Sequence, residues 1–232
     1  MKKITQILEN LISFFYPNLC VSCNQALKNQ EHYFCLSCLL NFPETKFHEL
    51  DFNPLIYNFM GRVDVQNVLG LLFYRKGNCV QQILHEIKYK GGKEVAEYLG
   101  NYYGAQLYQS KKLSDIDFII PIPLHKRKKK KRGYNQSEWI AKGLSNALQK
   151  PYLTDLLLRR DFTETQTKKS RFKRWENVKD VFEICDGSRM INKHILLCDD
   201  VLTTGATMEA AIAKILAIEG VKVSVVTLAV AM

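Results

Sequence analysis

The stretch from His194 to Glu209, HILLCDDVLTTGATME, constrains the fold of this chain more than any other. Its apolar run from Ile195 to Cys198 has no polar face, which is typical of a parallel strand covered on both sides. Asp199 and Asp200 follow at the position where such a strand ends. Because ligands of open α/β sheets bind at the carboxyl ends of the strands, the sequence predicts a buried strand that brings two carboxylates to a ligand site.

The five residues TTGAT after this strand have the composition of an anion-binding loop. They are Thr203, Thr204, Gly205, Ala206 and Thr207. The glycine allows a ligand to approach the backbone closely, and Thr207 is placed to cap a helix from Met208 to Ile218. The first N–H groups of that helix have no partner within it, so they and the threonine hydroxyls can bind a phosphate. An ordinary strand, turn and helix would show the same spacing, and both interpretations stay open on spacing alone.

The two carboxylates restrict which phosphate the loop can bind. Asp199 and Asp200 would repel a second phosphate beside the first. They can accept hydrogen bonds from sugar hydroxyls, or hold Mg²⁺ through water. A ribose 5-phosphate fits both properties.

Two CxxC pairs, separated by eleven residues, form the second strong motif. The four cysteines are Cys20, Cys23, Cys35 and Cys38. Each pair forms a turn that presents two thiolates to one point, and together they supply the four sulfur ligands of a structural Zn²⁺ site. A redox role for one pair is the alternative, although no thioredoxin-like strand and helix surrounds either pair. We expect a closed zinc site that stabilises the fold.

Basic residues cluster in two places. Lys126 to Arg132 are seven consecutive basic residues after a predicted strand from Asp115 to Pro123, and Lys88 to Lys93 form a basic turn. The chain has 33 Lys and Arg against 23 Asp and Glu, a net charge of +10 that favours phosphate-rich partners. Both clusters can be solvated surface or ligand contacts. In the longer run, nucleic-acid backbone is one candidate ligand, bound without sequence selection by Lys128, Lys129, Lys130 and Lys131.

The acids and TTGAT together resemble the phosphoribosyl pyrophosphate (PRPP) signature of type I phosphoribosyltransferases. The rest of the chain resembles one branch, the ComF family, which is associated with competence and DNA uptake in bacteria. The stretches that carry this resemblance are the four cysteines, IKYKGGKEVAEYLG, PIPLHKRKKKKRGYNQSE, and TQ with RWEN downstream. The resemblance implies that the acids contact the ribose hydroxyls of PRPP and that TTGAT holds its 5-phosphate.

The resemblance also implies roles for residues outside the loop. It places Arg132 against the pyrophosphate of PRPP. Residues 161–177 correspond to a flexible loop that closes over PRPP, although Lys169 stands where the family has leucine. Three residues of this segment match family positions: Gln166, Arg174 and Asn177. With the two acids, Arg174 is a predicted catalytic residue, and the others are predicted to bind PRPP.

Two functions from different classes follow. The first is a PRPP- and magnesium-binding protein that, if active, transfers the phosphoribosyl group with release of pyrophosphate. The alternative is a non-catalytic accessory protein of natural transformation that binds single-stranded DNA or a helicase-like partner. A purine or pyrimidine salvage transferase is a third, weaker hypothesis, because no base-recognition stretch is identifiable. Neither the acceptor nor the oligomeric state follows from the sequence.

The predicted fold is an α/β parallel sheet flanked by helices, of the type I phosphoribosyltransferase kind, with an N-terminal four-cysteine zinc module. We expect an N-terminal helix and the zinc module in residues 1–50. A connecting region of helices and strands follows in residues 51–114, and the phosphoribosyltransferase-like domain occupies residues 115–232. Leu153 to Leu158 and Val221 to Val230 are predicted as further strands of its sheet.

No stretch is apolar enough to predict a membrane span, which needs roughly 18 uninterrupted apolar residues. Residues 1–16 begin with lysines and an apolar stretch, but polar residues interrupt it and no small-residue cleavage site follows. We therefore expect a cytoplasmic protein without a membrane span.

Overall fold

The computed structural model describes residues 17–160 and 181–231. The α-helices and strands are, in chain order, α1 (Leu36–Leu40), β1 (Val68–Tyr74), α2 (Cys79–Tyr89), α3 (Lys93–Ser110), β2 (Phe118–Pro121), α4 (Lys126–Arg132), α5 (Gln136–Leu148), β3 (Leu157–Arg159), β4 (Phe182–Ile184), β5 (His194–Leu202), α6 (Ala206–Ile215) and β6 (Lys222–Ala231). Short 3₁₀ turns span Phe47–Glu49, Pro54–Asn58 and Ser188–Met190.

A four-stranded sheet forms the centre of the fold. The strand order across it is β1-β6-β5-β2, and all neighbouring strands run parallel. The predicted parallel α/β fold is therefore confirmed. The pairing of β5 with β6 extends from His194, which lies opposite Lys222, to Leu202, which lies opposite Val230. This places the carboxyl ends of β2, β5 and β6 along one edge of the sheet.

Side chains of β5 alternate between two apolar clusters, one on each face of the sheet. Leu196 and Cys198 belong to the cluster that contains the buried faces of α2, α3 and α5. Ile195 and Leu197 belong to the cluster that contains α6 and the turn at residues 54–58. All four side chains are fully buried. Coverage on both faces explains why this strand has no polar alternation.

Apolar residues recur at helical spacing from about Cys79 to Tyr89, which predicts a helix there, and helix α2 has these bounds. Its buried residues follow helical spacing and are Val80, Ile83, Leu84 and Ile87. They pack into the first cluster, together with residues of α3 and α5. The remaining positions of the helix face solvent or the ligand edge, so that α2 carries polar side chains beside the sheet.

The strand predicted over Leu153 to Leu158 is not part of the parallel sheet, and this prediction was wrong. Tyr152 makes a single parallel bridge to Ile119 of β2. The chain then leaves the sheet edge through exposed polar residues, and β3 pairs antiparallel with β4 in a separate two-stranded sheet. Leu157 packs into the cluster around α6, whereas Leu158 is 49% exposed. A short apolar run in the sequence does not distinguish a strand of the central parallel sheet from a strand of a separate antiparallel pair.

Strand β1 comes from the region predicted to connect the zinc module to the sheet-forming domain. Val68 of β1 lies opposite Val225 of β6, and this pairing continues to Tyr74 opposite Ala231. The sheet therefore draws strands from both sides of residue 115. Strand β6, which the sequence predicts from Val221 to Val230, lies between β1 and β5.

The N-terminal part of the described chain is a small module that packs on the face of the sheet covered by α2, α3 and α5. An antiparallel bridge joins Leu19 to Ala26, and α1 begins directly after Cys35 and contains Cys38. Cys20, Phe34 and Cys35 are buried in the same cluster as α2 and α3. Along residues 17–160 and 181–231, no helix combines the length and the apolar character needed to cross a bilayer.

Candidate functional site

Asp199 lies near the carboxyl end of β5, where its carboxylate meets α5. Its Oδ1 atom accepts hydrogen bonds from the Ser137 hydroxyl at 2.8 Å and from the backbone N–H of Asp200 at 2.9 Å. Burial, together with the neighbouring Asp200 charge, raises the pKa of Asp199 to about 7. A carboxylate in this setting gains from any additional hydrogen-bond donor or cation that a ligand brings.

Asp200 is buried and forms an ion pair with Lys88. The Lys88 Nζ atom lies 3.2 Å from Oδ2 of Asp200, and the two side chains are 20% and 5% exposed. Lys88 is in the last turn of α2, the helix that precedes the basic turn. For this lysine, the structure favours a contact at the site over a solvated surface. The two adjacent acids thus have different partners, a hydroxyl for Asp199 and an ammonium group for Asp200.

The predicted phosphate loop begins at Thr203, separated from the acids by two residues, and most of it is open to solvent. Helix α6 begins at Ala206, and Gly205 precedes it in the left-handed conformation with φ of 79°. A Cβ atom at Gly205 would lie 3.3 Å from Cε1 of Phe59, so glycine suits both the backbone conformation and the close packing. The exposed residues of the loop are Thr203, Thr204, Ala206 and Thr207.

Thr207 does not cap α6, and this prediction was wrong. The N-cap position is occupied by Gly205, without a side-chain hydrogen bond, and Thr207 is the second residue of the helix. The Thr204 hydroxyl accepts a long hydrogen bond of 3.5 Å from the N–H of Ala206. The N–H groups of the first turn are therefore left with little competition from capping side chains, as phosphate binding at a helix N-terminus requires.

The RGYNQS segment connects α4 to the acids. Arg132, at the end of α4, donates to the Gln136 Oε1 atom at 2.8 Å, and its guanidinium lies 5.3 Å from the ring centroid of Tyr89. Asn135 is buried and caps α5 through the N–H of Ser137. Ser137 in turn binds Asp199. Arg132 is thereby held on the same side of the sheet as Tyr89 of α2.

The lysine run forms a short exposed helix. Helix α4 follows β2 after a few residues, and the side chains of Lys126 to Lys131 are exposed. Lys129 pairs with Glu138 of α5 at 3.0 Å. The C-cap of α4 is Gly133, which has the left-handed conformation with φ of 82°. The helix presents lysines to solvent beside Arg132, which is half-buried.

The four cysteines predicted to hold a metal come together. The Sγ atoms of Cys20, Cys23, Cys35 and Cys38 all lie within 4.8 Å of one another. The Sγ atoms of Cys23 and Cys35 are 3.8 Å apart, which matches the edge of about 3.8 Å in a ZnS₄ tetrahedron with Zn–S bonds of about 2.3 Å. Burial acts to raise the pKa of Cys20, but backbone hydrogen bonds from Cys35, Cys23 and Ser22 lower it to about 7. The cluster fits a tetrahedral thiolate-bound metal such as zinc.

Comparisons with known proteins agree with this arrangement. Residues 131–232 match the phosphoribosyl transferase domain family. Competence protein F of Haemophilus influenzae is 35% identical over 105 residues, which are 45% of this chain and 45% of that protein. Competence protein ComFC of Bacillus subtilis is 28% identical over 139 residues, which are 60% of this chain and 54% of that protein.

Residues 131–232 are therefore phosphoribosyltransferase-like, and the chain is similar to ComF-type competence proteins. Another similar ComF-like sequence is the DNA utilization protein YhgH of Escherichia coli O157:H7, 29% identical over 137 residues, or 58% of this chain and 59% of that protein. The chain thus spans less than two thirds of the length of each of these relatives. Among solved structures, a glutamine PRPP amidotransferase from B. subtilis has a TM-score of 0.43 at 17% identity, covering 62% of this chain and 30% of that one.

Several site residues lie outside the matched domain, outside the predictions or outside the described residues. Lys88 precedes the matched domain, and Ser137 was not predicted as a site residue. Arg159, at the end of β3, was also missed: burial lowers its pKa and the charge of Asp199 acts to raise it, so the two side chains interact electrostatically. Three predicted residues lie outside the described residues: Gln166, Arg174 and Asn177.

Proposed function

We propose that the site at the carboxyl end of β5 binds PRPP together with Mg²⁺ and supports transfer of its phosphoribosyl group. One observation carries the proposal: two carboxylates near the end of β5 are followed, after two intervening residues, by an exposed loop that leads through Gly205 into α6. The loop offers N–H groups to the 5-phosphate, and the acids Asp199 and Asp200 offer acceptors to the ribose hydroxyls. Sugar and phosphate are thus bound by adjacent parts of one turn.

In the proposed reaction, an acceptor nucleophile forms a bond to C1 of the ribose while the bond from C1 to the pyrophosphate oxygen breaks. Pyrophosphate leaves with the bonding electron pair. Arg132, which is held by Gln136 and Tyr89, supplies a fixed positive charge for that leaving group. Positioning and charge stabilisation provide the acceleration in this scheme.

The carboxylates fit Mg²⁺, which prefers oxygen ligands. Asp200 already binds one cation, the ammonium group of Lys88, at 3.2 Å. When bound with PRPP, Mg²⁺ neutralises charge on the pyrophosphate. In the N-terminal module, we propose Zn²⁺ as the structural metal of the four-cysteine cluster, because the sulfur atoms are spaced for a tetrahedral site.

Calorimetric titration of PRPP with Mg²⁺ into the zinc-loaded protein tests the proposal. The Asp199→Asn, Asp200→Asn double variant should lose affinity by roughly a hundredfold or more, since two charge-assisted contacts are removed. Asp51→Asn, which changes an exposed acid elsewhere, should bind as the unaltered protein does. Circular dichroism checks that each variant is folded. Absence of saturable PRPP binding by the folded, unaltered protein would refute the function. If PRPP binds, release of pyrophosphate with candidate acceptors tests turnover.

A role in DNA uptake is the second candidate, and α4 is the observation that favours it. Its exposed lysines form a compact positive surface on a chain of net charge +10. Such a surface binds nucleic-acid backbone without selecting sequence. The relatives named for competence and DNA utilization are consistent with this role. We propose single-stranded DNA as the partner of α4, with a helicase-like protein as a further partner in uptake.

A triple variant separates DNA binding from PRPP binding. Lys128→Gln, Lys130→Gln, Lys131→Gln should weaken binding of a labelled single-stranded oligonucleotide in fluorescence anisotropy. The slope of log affinity against log salt should decrease by about 2, because roughly three phosphate contacts are removed. PRPP affinity should stay unchanged.

The control removes the same charge elsewhere, through Lys28→Gln, Lys76→Gln, Lys222→Gln, which alters exposed lysines away from α4. Equal loss of DNA affinity in both triple variants would show that net charge, and not α4, attracts the DNA.

A further inference from the structure

We propose that Lys88 is a positioning residue of the PRPP site, which acts by holding the Asp200 carboxylate in its binding geometry. This inference rests on the function proposed above. Lys88 comes from α2, outside the matched phosphoribosyl transferase domain at residues 131–232. The region before that domain therefore contributes a charged group to the acid pair.

The contact is close and shielded from water. The Lys88 Nζ atom lies 3.2 Å from Oδ2 of Asp200, whose side chain is 5% exposed. A buried carboxylate beside a second carboxylate is costly unless a cation compensates it. The Ser137 hydroxyl does not compensate the charge of Asp200, because it donates its hydrogen bond to Asp199. Among the ion pairs of the described residues, the one that reaches Asp200 comes from Lys88.

The backbone around Lys88 holds the side chain in this position. Ile83 and Ile87 anchor α2 in the core, and the Tyr134 hydroxyl donates to the carbonyl oxygen of Ile87. Directly after the helix, the N–H groups of Lys90 and Gly92 both donate to the carbonyl oxygen of Glu86, at 3.1 and 3.3 Å. The chain thus folds back tightly against the helix end. The anchored helix end therefore keeps the backbone of Lys88 at a distance from which its ammonium group reaches Asp200.

The position also suits a cation for a second reason. Lys88 lies in the last turn of α2, where the carbonyl ends of the helix favour positive charge. Tyr89, the next residue, contacts the guanidinium of Arg132. One end of α2 therefore touches both sides of the proposed site: Lys88 meets the acid that binds ribose, and Tyr89 meets the arginine assigned to pyrophosphate. This geometry identifies α2 as the element that sets the spacing between the two halves of the ligand.

Substitution of Lys88 tests whether its charge is what matters. Lys88→Met keeps the length of the side chain and removes the ammonium group, so PRPP affinity in calorimetry should fall by roughly tenfold or more, as expected for loss of a charged contact. Lys88→Arg restores the charge and should recover affinity to within roughly threefold of the unaltered protein. Lys90→Met is the matched control on the same helix end, since Lys90 is exposed and pairs with Glu86.

The outcomes separate this inference from the proposed function. If the unaltered protein does not bind PRPP, the proposed function fails first. If it binds PRPP and Lys88→Met binds equally well, Lys88 has no positioning role. Equal losses for Lys88→Met and Lys88→Arg, or an equal loss for Lys90→Met, would also overturn the inference, because neither pattern depends on the charge at residue 88. Thermal melting of each variant shows whether a loss of affinity is merely a loss of folding.

Discussion

At the scale of single residues, two glycines set how closely α3 and α5 approach each other. A Cβ atom on Gly143 of α5 would lie 2.1 Å from the carbonyl oxygen of Glu97 in α3. A Cβ atom on Gly100 of α3 would lie 2.5 Å from the carbonyl oxygen of Ile140. Both distances are far inside van der Waals contact, and both obstacles are backbone atoms. Since α5 also carries Ser137, this packing helps to place the hydroxyl that binds Asp199.

Gly143→Ala should therefore destabilise the protein, although alanine favours a helix more than glycine does. Forcing the two backbones apart costs about 1 to 3 kcal/mol, which outweighs a gain in helix propensity of at most about 1 kcal/mol. Urea unfolding should show a lower free energy of unfolding. Asn146→Ala, at an exposed position of the same helix, should change it by less than about 0.5 kcal/mol. An unchanged or raised stability for Gly143→Ala would contradict this packing.

The sequence predicts the location of the acids and of TTGAT because these residues are consecutive and local chemistry defines them. It does not predict the partners of the acids. Lys88 and Lys90 have the same charge and lie in the same turn, and only the direction in which α2 packs decides that Lys88 meets Asp200. The same holds for Ser137, which binds Asp199 across a separation of 62 residues.

At the scale of elements, the four-cysteine module is part of the main core. Cys20 and Cys35 are buried in the same apolar cluster as Val80, Ile83 and Ile87 of α2. A metal that fixes the cysteines therefore also fixes one wall of the cluster on which α2 rests. Because α2 carries Lys88, the module and the acid pair are connected through a single helix.

Loss of one cysteine ligand should lower the stability of the whole protein. Cys20→Ser should reduce the melting temperature by ~5 °C or more, which is about 2 kcal/mol for a chain of this size. Cys185→Ser changes an exposed cysteine outside the cluster and should have little effect. Metal analysis should find about one Zn²⁺ per chain in the unaltered protein. A melting temperature that is insensitive both to Cys20→Ser and to chelators would rule out a structural role for the metal.

Helices proved easier to predict from the sequence than short strands. The apolar residues of α2 recur at helical spacing, so its bounds follow from periodicity alone. Leu153 to Leu158 has no such pattern, and its pairing depends on whether β2 or β4 is nearer in space. In the structure, Leu157 pairs with Ile184 of β4. Tertiary packing decides which strand pairs with which, and a short apolar run in the sequence does not predict that packing.

At the scale of the whole molecule, the sheet unites regions that the sequence divides at residue 115. The stretch from Val63 to Tyr74 is rich in Val, Leu, Phe and Tyr, which predicts one or two strands. The place of β1 in the sheet depends on β6, since Val68 pairs with Val225. A parallel neighbour can be any distant apolar strand, so the order of strands does not follow from their order in the chain. The resemblance to phosphoribosyltransferases predicts the sheet, whereas the contribution of β1 emerges from the coordinates.

The central place of β6 has a consequence for how the protein is made. A ribosome delivers β1 long before β6, and β1 has no partner in the parallel sheet until residue 231 has left the exit tunnel. During that interval the apolar side chains of β1, such as Leu69 and Leu71, are exposed to water unless a partly formed core or a chaperone covers them. Among the described strands of the sheet, β6 is the last to be synthesised, and its place in the native sheet is between β1 and β5.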